Sequence, residues 1–268
     1  MKMGKFDGVL LMSDMDGTLL DNKKGISAGN LRAIQNFISE GGLFCMATGR
    51  PPMTTTEFEA ILPPEMLRVY LNGALLRDAN GNTIEKITLR EDIWDLVKEI
   101  ETKFPQVGCE MFAADAVYLY RSSPQSMQHQ QMAECEFSDF STYRDGISLY
   151  KANFTGKPKV LKQVRESCAE RLQRYTAVSS ASVFLEVTEP EADKGKALQT
   201  LRKQLGVKMI CAIGDSGNDL GMIQQADFSF APKNAEKQIL QAASCVVRAN
   251  THDAVADAID KIQQRLGC

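Results

Sequence analysis

Histidine is almost missing from this chain: among 268 residues only His129 and His252 occur, far apart. The seven cysteines, at positions 45, 109, 135, 168, 211, 245 and 268, form no Cys-x-x-Cys pair and leave one over if paired. A zinc site built from His and Cys is therefore not expected, and the thiols read as reduced. Any metal is expected to be hard and bound through oxygen. Long apolar runs are also lacking. No stretch reaches the roughly 18 residues of a membrane span, and the start, Met1-Lys2-Met3-Gly4-Lys5-Phe6-Asp7, has no long apolar core. A soluble, cytoplasmic protein is expected. A net charge of −3 and an isoelectric point near 5.6 supply no polybasic surface for nucleic acid or membrane, which leaves a small molecule as the default partner. Neither an internal repeat nor a low-complexity segment points to a solenoid or a disordered tail.

What the chain does have is a 44% hydrophobic content, enough for a full core in one large domain or two ordinary ones. Its most informative segment is Asp14-Met15-Asp16-Gly17-Thr18, directly after the apolar run Val9-Leu10-Leu11-Met12. Two carboxylates at the end of a buried strand are costly unless they do something. Gly17 permits a sharp turn out of the sheet, and such strand ends are where ligands bind in open α/β sheets. The plainer reading is that both aspartates only decorate a strand end or cap a turn. The rest of the chain has to decide.

Ser27 reads as the N-cap of a helix with Leu31, Ile34 and Ile38 on one face, ended by Gly41-Gly42. The run Leu43-Phe44-Cys45-Met46-Ala47 then stops at Thr48-Gly49-Arg50-Pro51. A third short strand, Val69-Tyr70-Leu71, ends at Asn72-Gly73-Ala74, and Asp78 to Asn82 reads as a hairpin turn. In the middle third the pattern changes. Helices over Glu91 to Phe104, Ser123 to Cys135 and Pro158 to Tyr175 mix with strands at Gly108 to Phe112, Ala116 to Arg121, Ser148 to Phe154 and Ser182 to Val187. This grouping is typical of an α+β domain. From Lys194 the βα alternation resumes: helix Gly195 to Leu205, strand Lys208 to Ile213, helix Asp219 to Ala226, strand Phe228 to Ala231, helix Ala235 to Ala243, strand Cys245 to Arg248 and a closing helix from Asp253 to Leu266. The expected fold is α/β, a Rossmann-like parallel-sheet core over residues 1–83 and 189–268, interrupted by an inserted α+β cap over residues 84–188.

Strand ends of one parallel sheet converge on one edge, so distant residues can share a site. That edge collects Asp14, Asp16, Thr48, Gly49, Lys194 and Gly214-Asp215-Ser216-Gly217-Asn218-Asp219. Crowded carboxylates repel unless a cation neutralises them; Mg²⁺ suits the ligand type, with Asp14 and Asp215 as direct ligands. These segments, together with Asn72-Gly73-Ala74 and Lys194-Gly195-Lys196-Ala197-Leu198, resemble the haloacid dehalogenase superfamily, and its Cof-type sugar-phosphate phosphatases in particular. The resemblance implies that Asp14 attacks phosphorus to form an aspartyl-phosphate. It further implies that Asp16 protonates the leaving oxygen and later activates water, while reaching the metal through its backbone carbonyl. Thr48, the N–H of Gly49, Lys194 and Asn218 would hold the phosphoryl group, Asp215 would complete the metal ligands, and Asp219 would orient Lys194 or metal-bound water. The cap would close over the site and choose the substrate.

Other residues receive plainer readings. Lys196 is expected to be a solvated helix residue, Arg50 and Asn72 to brace loops, Asp21 to serve a turn, Asp253 to be an N-cap and His252 to be exposed. Trp94, Tyr118 and Tyr120 read as cap core. Two departures from the family pattern concern loop geometry: Ser216 stands where Gly is common, and His252-Asp253-Ala254-Val255 lacks the Gly that usually precedes Val. The expectation is a Mg²⁺-dependent phosphatase of small phosphorylated metabolites, a monomer or weak homodimer. The competing readings are a phosphosugar mutase and a non-catalytic phosphate-sensing protein.

Overall fold

The computed structural model describes residues 4–133, 135–179 and 181–267. Met1 to Met3 of the chain start, Glu134 within the helix expected from Ser123, and the seventh cysteine, Cys268, lie outside the described residues. In chain order the elements begin with β1 (Val9–Asp14), α1 (Ala28–Ser39), β2 (Leu43–Ala47), α2 (Thr56–Glu59), β3 (Leu67–Tyr70), β4 (Leu75–Arg77) and β5 (Thr83–Lys86). They continue with α3 (Ile93–Lys103), β6 (Gly108–Phe112), β7 (Val117–Arg121), α4 (Pro124–Met132), β8 (Phe137–Asp139), β9 (Lys151–Thr155), α5 (Pro158–Ser167), α6 (Ala169–Leu172), β10 (Thr176–Val178) and β11 (Phe184–Thr188). The last are α7 (Lys194–Leu205), β12 (Met209–Ile213), α8 (Leu220–Gln225), β13 (Phe228–Pro232), α9 (Lys237–Ala242), β14 (Cys245–Val247) and α10 (Ala254–Leu266).

The chain divides into two units. One takes the residues up to Gly49, Thr56–Glu85 and everything from Asp193; the other takes Arg50–Thr55 and Lys86–Ala192. The first is built on a sheet of order β14-β13-β12-β1-β2-β3-β4-β5. From β14 to β3 every neighbour is parallel, and β3 with β4 is antiparallel. Every residue of β1 is buried, as a central strand covered on both faces requires. Leu10 and Met12 pack with Ala197, Leu198 and Leu201 of α7 and with Met222 and Ile223 of α8. Two side chains join α1 and α10: Ser27 Oγ donates to Asp253, and the Ala256 N–H donates to Asn30 Oδ1 at 3.0 Å.

Local chemistry sets the boundaries. Ser27 Oγ accepts from the Asn30 N–H, and Asp193 accepts from the N–H groups of Gly195 and Lys196, so both helices start where a side-chain oxygen can satisfy free donors. Asp253 departs from its expected role. It stands at the α10 N-cap position with φ +60°, but its carboxylate caps nothing in that helix and instead accepts from Ser27. Aspartate tolerates this left-handed conformation where the family's Gly is absent.

The second unit is a six-stranded sheet of order β10-β11-β9-β6-β7-β8, antiparallel except between β7 and β8. Its core joins Leu96, Val97 and Ile100 of α3 and Leu161 and Val164 of α5 to Met111, Phe154, Leu185 and Val187 of the sheet. Tyr118 lies in this core, with Trp94 and Tyr120 packed against it. The helix expected from Pro158 to Tyr175 is interrupted at Cys168, a buried residue with non-helical ψ of 19°; it resumes as α6 and ends at Leu172, before β10 starts at Thr176. Helix propensity carried through the break; the packing of the cysteine decided it. The strand expected from Ser148 starts only at Lys151, and β8 was not anticipated.

Candidate active site

The register of the parallel strands brings the expected residues to one edge. Asp14 pairs with Ala47, Ser13 with Ile213 and Ala47 with Val69, so Asp14, Thr48 and the Gly214-Asp215 turn leave the sheet at nearly the same level. Lys194 enters from the first position of α7. That helix can begin there because Gly73, at φ +103°, lets the β3–β4 turn approach Asp193; a Cβ at Gly73 would lie 2.5 Å from the Asp193 carbonyl oxygen.

Lys194 is the hub. Fully buried, its Nζ donates to Asp14 Oδ1 at 2.6 Å and to Asp219 Oδ1 at 2.7 Å. Burial alone would push the ammonium down, but the two carboxylates outweigh it and hold Lys194 above its ordinary range. The other oxygen of Asp219 accepts from the N–H groups of Asp215 at 2.9 Å and Ser216 at 3.0 Å. Ser216, the departure from the family Gly, forms a capping box with Asp219. Asp219 thus holds Lys194 on one side and shapes the Asp215 turn on the other.

Asp14 is 5% exposed, and its Oδ2 is buried without a hydrogen-bond partner. Burial first, then the neighbouring Asp219 charge, push its carboxyl well above the usual range despite Lys194. Asp215, which accepts from Thr18 Oγ1 at 3.3 Å, is pushed up to about 6, again mainly by burial and then by Asp219. Oxygens of Asp14, Asp215 and Asp219 all lie within 4.8 Å of one another, a group able to hold a metal ion. The carboxylate of Asp16 is not in that group. Asp16 is exposed, on the turn that bridges back to Leu20.

The phosphate-binding candidates form a second layer of the same edge. Thr48 is buried, its N–H donating to Val69 O and its carbonyl accepting from Asn72 N–H at 3.0 Å. Gly49 needs its lack of Cβ, which would lie 2.9 Å from Asn72 Oδ1. Asn218 Nδ2 donates to that same Asn72 oxygen at 2.9 Å. Asn72, itself at φ +58°, therefore braces the two loops, as expected of it. Lys196 is exposed, and so is His252; Asp21 Oδ1 accepts from the N–H groups of Lys23 and Gly25. Arg50 falls in the other unit and donates to the Thr54 carbonyl.

Three contacts went unforeseen. Thr18, inside the Asp14–Thr18 segment, is the donor to Asp215. Asn234 Nδ2 donates to the Gly17 carbonyl at 2.8 Å, and Asn250 Nδ2 donates to the Leu20 carbonyl at 3.0 Å. The signal for the asparagines was available: both follow strands of the same parallel sheet, β13 and β14, whose ends were not counted.

A family model for haloacid dehalogenase-like hydrolases matches residues 11–259. The chain belongs to that family. The Bacillus subtilis protein YxeH is 29% identical over 271 residues, spanning 94% of this chain and 97% of its own. YcsE of the same organism, named as a 5-amino-6-(5-phospho-D-ribitylamino)uracil phosphatase, is 27% identical over 256 residues, spanning 93% of this chain and 94% of its own. Among solved structures, a haloacid dehalogenase-like hydrolase from Bacteroides thetaiotaomicron shares the fold with a TM-score of 0.84 at 23% identity, covering 96% of this chain and 99% of that one. The chain is thus a hydrolase of this family with an α/β fold. Among the described residues no helix is long and apolar enough to cross a membrane.

Proposed function

We propose that the chain hydrolyses phosphate monoesters of small metabolites, sugar phosphates above all, by attack of Asp14 on phosphorus. The observation that carries this reading is the state of Asp14: a buried strand-end carboxylate with one oxygen held by a buried lysine and the other without a partner. A purely structural carboxylate would have both oxygens satisfied.

The donor set suits a hard dication. Three carboxylates face a single ammonium, which leaves two negative charges, and the partnerless Asp14 oxygen is the kind of ligand atom such an ion takes. Asp14, Asp215 and the backbone carbonyl of Asp16 would hold Mg²⁺. When bound, the ion would offset the carboxylate charge and draw electron density from the phosphoryl oxygens.

The chain's own groups supply the rest. Lys194 favours the ionised form of Asp14 against the opposing effect of burial and directs its Oδ1, and its charge offsets that of the arriving phosphoryl group. As an Asp14 oxygen bonds to phosphorus, the bond from phosphorus to the ester oxygen breaks, and Asp16 gives its proton to that leaving oxygen. Asp16, now a carboxylate, takes a proton from water as the water attacks the aspartyl-phosphate. Inorganic phosphate then leaves and the Asp14 carboxylate is restored. Thr48, the N–H of Gly49 and Asn218 would hold the remaining phosphoryl oxygens.

The test is phosphate release from p-nitrophenyl phosphate at neutral pH, with Mg²⁺ and after chelation. Release that depends on the ion is expected; no release by the wild type in either condition sinks the hydrolase reading. A panel of hexose and pentose phosphates then assigns the substrate. It includes 5-amino-6-(5-phospho-D-ribitylamino)uracil because YcsE of Bacillus subtilis and YbjI of Escherichia coli carry its name and it too is a phosphate ester of a polyol chain.

A further inference from the structure

Asp16 is the candidate leaving-group acid. It is exposed, it sits on a turn instead of in the sheet, and the next residue is Gly17 at φ +83°. Glycine has the widest conformational freedom of any residue, so a contact that fixes the Gly17 carbonyl restricts the turn that carries Asp16. Within the turn, Leu20 N–H closes onto the Met15 carbonyl at 2.8 Å, and Thr18 reaches Asp215. Neither touches the carbonyl of Gly17.

Asn234 does. Its Nδ2 donates to the Gly17 carbonyl at 2.8 Å, while its Oδ1 accepts from the Asn250 N–H at 2.9 Å. A carbonyl only accepts and a backbone N–H only donates, so both partners fix the amide in one orientation. Asn250 is buried and holds its own place by donating from Nδ2 to the Leu20 carbonyl and to Asn22 Oδ1 at 3.1 Å. Two residues after Asn234, the Glu236 N–H donates to the Asp215 carbonyl at 2.8 Å. One short turn after β13 therefore ties the Asp16 turn to the Asp215 turn.

We propose that Asn234 is a positioning residue for Asp16, holding the adjacent Gly17 peptide so that the carboxyl meets the leaving oxygen, with Asn250 as its brace. This rests on the phosphatase reading above, and on Asp16 as leaving-group acid within it. A group that acts through Asp16 matters most where the leaving oxygen most needs a proton. A loop staple with no such role affects all substrates alike.

The experiment compares phenyl phosphate, the poorer leaving group, with p-nitrophenyl phosphate, which has nearly the same shape. Rates are measured for the wild type and for Asn234→Ala and Asn234→Asp, each also in an Asp16→Asn background. Asn234→Ala is expected to lower kcat on phenyl phosphate roughly tenfold or more and on p-nitrophenyl phosphate severalfold less, within the range of general acid catalysis. Asn234→Asp keeps size and the Oδ1 acceptor but sets a carboxylate oxygen against the Gly17 carbonyl, so its loss should be at least as large. In the Asp16→Asn background the leaving-group-dependent loss should vanish, because the group being aimed is gone. Equal losses on both substrates, or an undiminished loss without Asp16, overturn the positioning role while leaving the phosphatase reading intact. A wild type that releases phosphate from neither ester overturns the reading and the proposal together.

Discussion

Lys194 and the three aspartates around it pull in opposite directions, and the balance among them makes predictions about single residues. Asp14→Asn removes the proposed nucleophile at nearly constant volume, so phosphate release should fall to background while the far-ultraviolet circular dichroism spectrum is unchanged. Asp16→Asn should slow turnover most for poor leaving groups; equal losses on p-nitrophenyl phosphate and sugar phosphates would count against its role as acid. Lys194→Met leaves Asp14 and Asp219 buried without their cation. Loss of one member of a buried ion pair costs about 3–5 kcal/mol, and urea unfolding without metal should show a loss of that order at neutral pH. The deficit should shrink as pH falls, because protonating the crowded carboxylates relieves their repulsion. A pH-independent deficit would mean that lost packing, not charge, is the cause.

Between elements, α7 and α8 approach each other closely in the site region. A Cβ on Gly195 would lie 2.5 Å from the Gly221 carbonyl carbon and 2.6 Å from its oxygen, both backbone atoms. Gly195→Ala must therefore push the helices apart, with an expected cost of about 1–3 kcal/mol in urea unfolding and a loss of activity through the shifted Lys194. A variant with wild-type stability and turnover would show that α7 can slide freely. The order of strands and helices was legible in the sequence because β1, β2, β12 and β13 carry apolar runs that end in polar turns. Lys194 could be named because a helix start after a strand end is a local signal. What stayed hidden depends on three-dimensional packing: the break at Cys168, the turn of Asp253 toward Ser27, and the grip of Asn234 on a carbonyl 217 residues away. No periodicity encodes a side chain that reaches a distant backbone atom.

At the scale of the whole molecule, pH and metal should be linked through Asp215 and Asp14. Both carboxyls are raised by folding, so this contribution to stability is complete below the ordinary carboxylate range and is lost as pH rises through about 6 for Asp215. Carboxylates elsewhere, such as Asp92 and Asp139, are lowered and act in the opposite sense, so the Tm of the metal-free chain alone mixes the two. The difference between Tm with and without Mg²⁺ removes them. The shift should be small at acid pH and grow above about pH 6, where it reports a stabilisation of about 2.7 kcal/mol at a hundredfold excess over Kd. Equal shifts at both ends of the range would put the ion elsewhere. The strand order has a last consequence, for how the chain is made. Strand β1 sits between β2 and β12, and the whole of Lys86–Ala192, a unit with its own core, leaves the ribosome before Met209 does. During synthesis β1 therefore waits with one edge open until β12 is made, and an unpaired edge of that kind is a template for pairing with another chain.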